Sequence, residues 1–186
     1  MKQFITVSVL ILAGLVLFSM LVNAQDEKAQ YVGSSKCKIC HMSAKQGAQY
    51  KKWQDSAHSK AYETLASEES KKVAEKVGVK GDPQKAAECL TCHVTAYNAP
   101  ASEKAESFSM TEGVGCEECH GPGSLYKSMS IMKALRAGTQ DPKAVAFQKD
   151  GKETCLQCHN EKSPTYKPFN FEERWAEIAH PIPAGE

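Results

Sequence analysis

The chain has 186 residues, of which 41% are hydrophobic, and a formal net charge of +1 at pH 7. That length fits one domain of ordinary size, and the near-neutral balance excludes the basic footprint of a nucleic-acid binder. Eight cysteines in so short a chain need a use, as disulfides, metal ligands or cofactor anchors.

Residues 1–24 read as an export signal. Lys2 supplies the positive start, Ile5 to Val22 is apolar apart from Thr6, Ser8 and Ser19, and Val22-Asn23-Ala24 offers small residues for a signal peptidase. The apolar run also approaches the length of a membrane span, so an uncleaved N-terminal anchor is the alternative, and the only route to membrane contact. Either way residues 25–186 form the functional domain, in the periplasm or otherwise outside the cytoplasm. Without Lys2 the rest of the chain balances 22 basic against 22 acidic side chains.

The domain itself is rich in Lys, Ala and Glu. A helix is predicted over Ala44 to Leu65, where Trp53, Ala57, Ala61, Tyr62 and Leu65 share one arc. Glu68 to Val77 continues in helical composition and stops at Gly78. Asp82-Pro83 can cap and start a short helix into Cys89. Leu125 to Ala137 is a further predicted helix ended by Gly138; Asp141-Pro142 starts another, and Phe171 to Ala179 is the last, stopped by Pro181. No stretch alternates as a half-buried strand would. Apolar residues are few for a domain of this size, so something other than side chains must fill the interior.

Cys-x-x-Cys-His occurs four times: Cys37 to His41, Cys89 to His93, Cys116 to His120 and Cys155 to His159. This is the attachment signature of c-type haem. Two thiols three positions apart can each join one vinyl group on a haem edge, and the next residue, His, then ligates the iron beneath the ring. Zinc pairs, a thioredoxin-like site or four disulfides would each use cysteines too. None explains a histidine after every second cysteine, a coincidence on the order of one in a million at this histidine frequency. All eight cysteines, Cys37, Cys40, Cys89, Cys92, Cys116, Cys119, Cys155 and Cys158, are consumed by four haem c groups. The expected fold is mainly α, short helices and loops wrapped around four closely packed haems, which supply the missing core.

Four irons have eight axial positions, and the chain has six histidines. His41, His93, His120 and His159 are proximal, leaving His58 and His180 for the distal sides. His58 lies on the apolar arc of the first predicted helix, whereas nothing in the local sequence marks His180. Met42, Met110, Met129 and Met132 remain as sixth ligands, although methionine more often fills gaps in a core. Met129 and Met132, together on a helix after the third motif, are the tentative pair.

Gly113-Val114-Gly115-Cys116-Glu117-Glu118-Cys119-His120-Gly121-Pro122-Gly123 resembles the third attachment site of the tetrahaem cytochrome c-554 family, the electron carriers of hydroxylamine oxidation in nitrifiers. Trp53-Gln54-Asp55-Ser56-Ala57-His58-Ser59-Lys60-Ala61 and the late His180 are similar as well. The resemblance implies a helical fold around stacked haem pairs, with His58 on the fourth haem, His180 on the third, and the second haem, at His93, open. Two features depart from the family. The spacer from His41 to His58 is longer, and the histidine that serves the first haem is missing after Gly-Pro-Gly, where Met129 or Met132 is the natural replacement.

The leading functional reading is therefore a non-enzymatic electron-transfer protein relaying electrons between redox protein partners in a respiratory chain. An enzyme reducing a small molecule such as nitric oxide or hydroxylamine at an open haem is the second reading, and a subunit of a haem filament the third.

Overall fold

Short capped segments with few apolar residues fold into short helices, and the computed structural model, which describes residues 28–149 and 151–180, has no β-strand among them. A single bridge pairs Tyr31 with Lys104. The signal segment 1–24 lies outside the described residues.

Among the described residues nine α-helices follow in order: α1 Ser35–His41, α2 Gln49–Gln54, α3 Ala61–Thr64, α4 Glu68–Lys76, α5 Ala87–His93, α6 Cys116–His120, α7 Met129–Arg136, α8 Lys152–Leu156 and α9 Phe171–Ile178. Their starts follow from side-chain capping. Ser67 accepts from Ser70 N before α4, Ser128 from Ile131 N before α7, and Asn170 from Glu173 N before α9. Glu68 and Glu69, and Glu172 and Glu173, add acids to first turns, where the helix dipole favours them. Asp82 caps the 3-10 turn Pro83–Lys85, which leads directly into α5.

The long helix read over Ala44 to Leu65 is broken in the structure. It divides into a 3-10 turn Ala44–Gln46, α2, a second 3-10 turn His58–Lys60, and α3. Gly47 and Ala48 take left-handed backbone, with φ of 95° and 50°, which a continuous helix does not tolerate. Farther on, the Ser56 hydroxyl donates to the Trp53 carbonyl, drawing a local bond away from the helix. In the segment read as a helix over Leu125 to Ala137, Leu125 ends the 3-10 turn Gly123–Leu125, and regular helix starts only at Met129.

Among the described residues the buried apolar side chains are Val32, Leu65, Ala74, Leu90, Val94, Tyr126 and Val145. Seven such residues are far fewer than a chain of this length needs to bury for stability. Leu65, Leu90 and Val94 form the one cluster of them, with Tyr62, Tyr97 and Met110 packed against it. The remaining stiffness comes from polar ties around the third motif. Glu117 is 2% exposed and accepts from Val32 N, Gly33 N and Gly123 N at 2.8, 2.7 and 2.6 Å. Trp53 Nε1 donates to the Val114 carbonyl at 2.8 Å, and Val114 N donates to the His58 carbonyl at 2.9 Å.

Candidate haem centres

Each Cys-x-x-Cys-His motif falls at a helix. The first ends α1, the second ends α5, the third is the whole of α6, and the fourth runs from the end of α8 into the turn after it. Helical spacing puts the two thiols of one motif on neighbouring turns and the histidine just beyond them. All eight thiols are free of disulfides. No three His, Cys, Asp or Glu side chains converge as a metal-ion site among the described residues.

Two of the motif imidazoles are oriented by hydrogen bonds. His93 Nδ1 lies 2.7 Å from the Ala61 carbonyl, which can only accept, so Nδ1 is the donor. His41 Nδ1 stands 3.2 Å from Gln49 Oε1 in the same sense. Such partners hold a ligating ring in place and raise its basicity. Phe147 stacks on His120 at 5.7 Å and Phe169 on His159 at 4.8 Å. His120 Nδ1 is buried without a hydrogen-bond partner among the described residues.

The two remaining histidines lie against motif histidines from other parts of the chain. His58 and His159 have ring centroids 6.1 Å apart, and His120 and His180 have theirs 5.9 Å apart. A metal held between two imidazoles, at about 2.0–2.1 Å from each nitrogen, sets the centroids roughly 6 Å apart. Both separations fit an iron with a histidine on each side. Burial lowers the pKa of His58, and His159 adds to the effect. For His159 burial again acts first, followed by Arg174. Both shifts favour the neutral imidazole that a metal requires.

The thiols mark which motifs are neighbours. Cys37 and Cys116 lie close enough to act on one another, which sets the first motif beside the third. Cys92 likewise acts on Cys158, setting the second motif beside the fourth, and Cys119 lies close enough to Cys158 to act on it electrostatically. The motifs therefore follow one another in space in the order first, third, fourth, second. Around the third motif, burial raises the pKa of Glu112, Glu117 and Glu118, while hydrogen bonds from Ser34, from Val32, Gly123 and Gly33, and from Ala96 oppose it.

The tentative methionines differ in setting. Met129 is 63% exposed at the start of α7, and Met132, one turn on, is half-buried. Gln30 and Ser124 exchange two hydrogen bonds, so the chain entering α7 runs beside the chain entering the first motif. Met110 packs against the Leu65 cluster, and Met42 follows His41 as the C-cap of α1. Several contributors carry no sequence signal: the Ala61 carbonyl, Gln49, Phe147, Phe169 and the Glu117 clasp. An apolar ring or a glutamine near a motif is commonplace, and a backbone acceptor has no side-chain signature at all.

A family model described as cytochrome c554 and c-prime matches residues 36–121. The chain is 34% identical over 151 residues to cytochrome c-554 of Nitrosomonas europaea, a match covering 78% of this chain and 56% of that protein's length. Among solved structures it is similar to the reduced state of cytochrome c554 from Nitrosomonas europaea, with a TM-score of 0.51 and 28% identity over 80% of this chain and 78% of that one.

Proposed function

Because the chain belongs to the cytochrome c554 family and carries four c-type haems, we propose that it is an electron carrier, exported by residues 1–24 and serving redox protein partners outside the cytoplasm. The observation that carries this reading is the facing of histidine rings, His58 with His159 and His120 with His180, at 6.1 and 5.9 Å. An iron closed on both sides by imidazole supplies one-electron exchange and leaves no position for a substrate.

In this reading the eight cysteines anchor the haems, and His41, His93, His120 and His159 are their proximal ligands. His58 is the distal ligand at the fourth haem and His180 at the third. The Ala61 carbonyl and Gln49 hold His93 and His41 in the ligating tautomer. The order of thiol contacts supports a relay running first, third, fourth, second, with the first and second sites at its ends. A methionine of α7, Met129 or Met132, closes the first haem, and the second remains open.

The test is a count of spin states. Optical and EPR spectra of the purified holoprotein should show low-spin bis-histidine haems, and His58→Ala and His180→Ala should each turn one of them high-spin while all four haems stay covalently bound. If neither substitution changes the count, the two histidines are not ligands and the closed-iron argument for a carrier is lost.

A further inference from the structure

The first attachment helix is unlike the other three. Cys40 is the one exposed cysteine of the eight. Ile39, just before it, is 84% exposed, more than any other large apolar side chain described. At the same place in the other motifs stand the polar residues Thr91, Glu118 and Gln157. Lys36 and Lys38 are exposed on the same helix and make no ion pair among the described residues, while Lys38 Nζ lies 5.8 Å over the ring of Tyr50.

Charge is also concentrated here. Residues 28–54 hold six lysines and no acid, whereas residues 55–186 hold sixteen basic and twenty acidic side chains. Lys28 and Lys51 pair with Glu103 and Asp55, whereas Lys36 and Lys38, the cations beside Ile39, make no ion pair among the described residues. An aliphatic side chain in water, flanked by unpaired ammonium groups, adds nothing to the stability of this fold. It matches the make-up of a transient interface, an apolar contact inside a charged rim that steers the partner and lets it leave.

We propose that the exposed face of α1, formed by Lys36, Lys38 and Ile39, is the docking surface on which an acidic redox protein exchanges electrons with the first haem. The proposal rests on the carrier reading, and it agrees with the first site being one end of the contact order. Lys36 and Lys38 beside Ile39 select an acidic partner, since a basic one would meet like charge at that contact.

The test measures affinity without electron flow. Plastocyanin serves as a small acidic one-electron probe, isotope-labelled and in its cuprous form, and is titrated with fully reduced holoprotein by NMR at low and high salt. The variant Lys36→Glu/Lys38→Glu should weaken binding about tenfold at low salt and flatten the salt dependence. Ile39→Ser should weaken it about threefold at both salt concentrations. Lys72→Glu/Lys76→Glu, on the exposed face of α4, makes the same change in net charge and should stay within about twofold of the unmodified protein.

Equal weakening by the two lysine pairs would mean that affinity follows net charge alone, and would overturn the proposal. So would unchanged affinity in Lys36→Glu/Lys38→Glu. A separate potentiometric titration of the same samples tests the carrier reading: reversible one-electron steps uphold it whatever the docking result, and their absence defeats it even if binding is seen.

Discussion

Gly113→Ala should displace a haem ligand without replacing any residue that meets iron. Gly113 has φ of +78°, and a Cβ added there would lie 2.6 Å from the His58 carbonyl oxygen and 3.1 Å from that of Ser59. Both neighbours are backbone, so relief requires the chain at His58 to retreat by about 0.8 Å to reach ordinary contact. The same His58 oxygen accepts from Val114 N at 2.9 Å, a bond that this retreat would stretch. Left-handed backbone costs alanine about 1 kcal/mol. The overpacking and the weakened bond add about 2 kcal/mol more. A total near 3 kcal/mol corresponds to a fall in Tm of about 6–12 °C for a chain of this size. Gly78→Ala is the control, because Gly78 has φ of +80° and nothing within 4 Å of its added Cβ. It should cost only the backbone strain, a fall of about 2–4 °C. The assay is thermal unfolding of both holoproteins together with EPR of the ferric state. Gly113→Ala should lower the low-spin count by one, at the fourth haem, and Gly78→Ala should leave it unchanged. Equal melting temperatures and equal spectra for the two variants would refute the argument that Gly113 seats His58.

Three further outcomes follow from the same geometry. Reduced protein should bind carbon monoxide at one haem per chain, and Met129→Ala/Met132→Ala should raise this to two; two in the unmodified protein would remove the methionine ligand from the first haem. Glu117→Ala leaves Val32 N, Gly33 N and Gly123 N without their acceptor. It should cost about 3 kcal/mol in chemical unfolding, and a loss below about 1 kcal/mol would show that water replaces the carboxylate. Burial raises the pKa of Glu117 in the fold, so the native state keeps a proton that the unfolded chain has already released. Its contribution is therefore fully present below the ordinary carboxylate value and is lost as pH rises through the raised one. Melting curves from pH 4 to 7 should show the unmodified protein losing stability relative to Glu117→Gln as pH rises, and the opposite slope would mean that the three N–H donors outweigh burial.

Cofactor and helical class were legible in the residues themselves, because each depends on neighbours in the chain. Five consecutive residues bring two thiols and an imidazole together, and they do so in any fold that leaves them a helical turn. Capping is as local: Asp82 before Pro83, and the glycines after α4 and α7, mark element ends through side-chain and backbone chemistry spanning three or four residues. The shortage of apolar residues was legible too, since no arrangement of this composition can bury more than it contains. The helix read over Ala44 to Leu65 misled because its apolar arc is real, while Gly47, Ala48 and Ser56 interrupt the backbone beneath it. What lies opposite each motif is a matter of packing between distant segments. His58 reaches His159 because Val114 N holds the His58 carbonyl, and His180 reaches His120 from the far end of α9. The meeting of Cys37 with Cys116, and the exposure of Ile39 where Thr91, Glu118 and Gln157 occupy the other motifs, belong to the same class. Local chemistry determines what each motif binds, and only the close approach of segments far apart in the chain decides which motifs adjoin and which one faces the solvent.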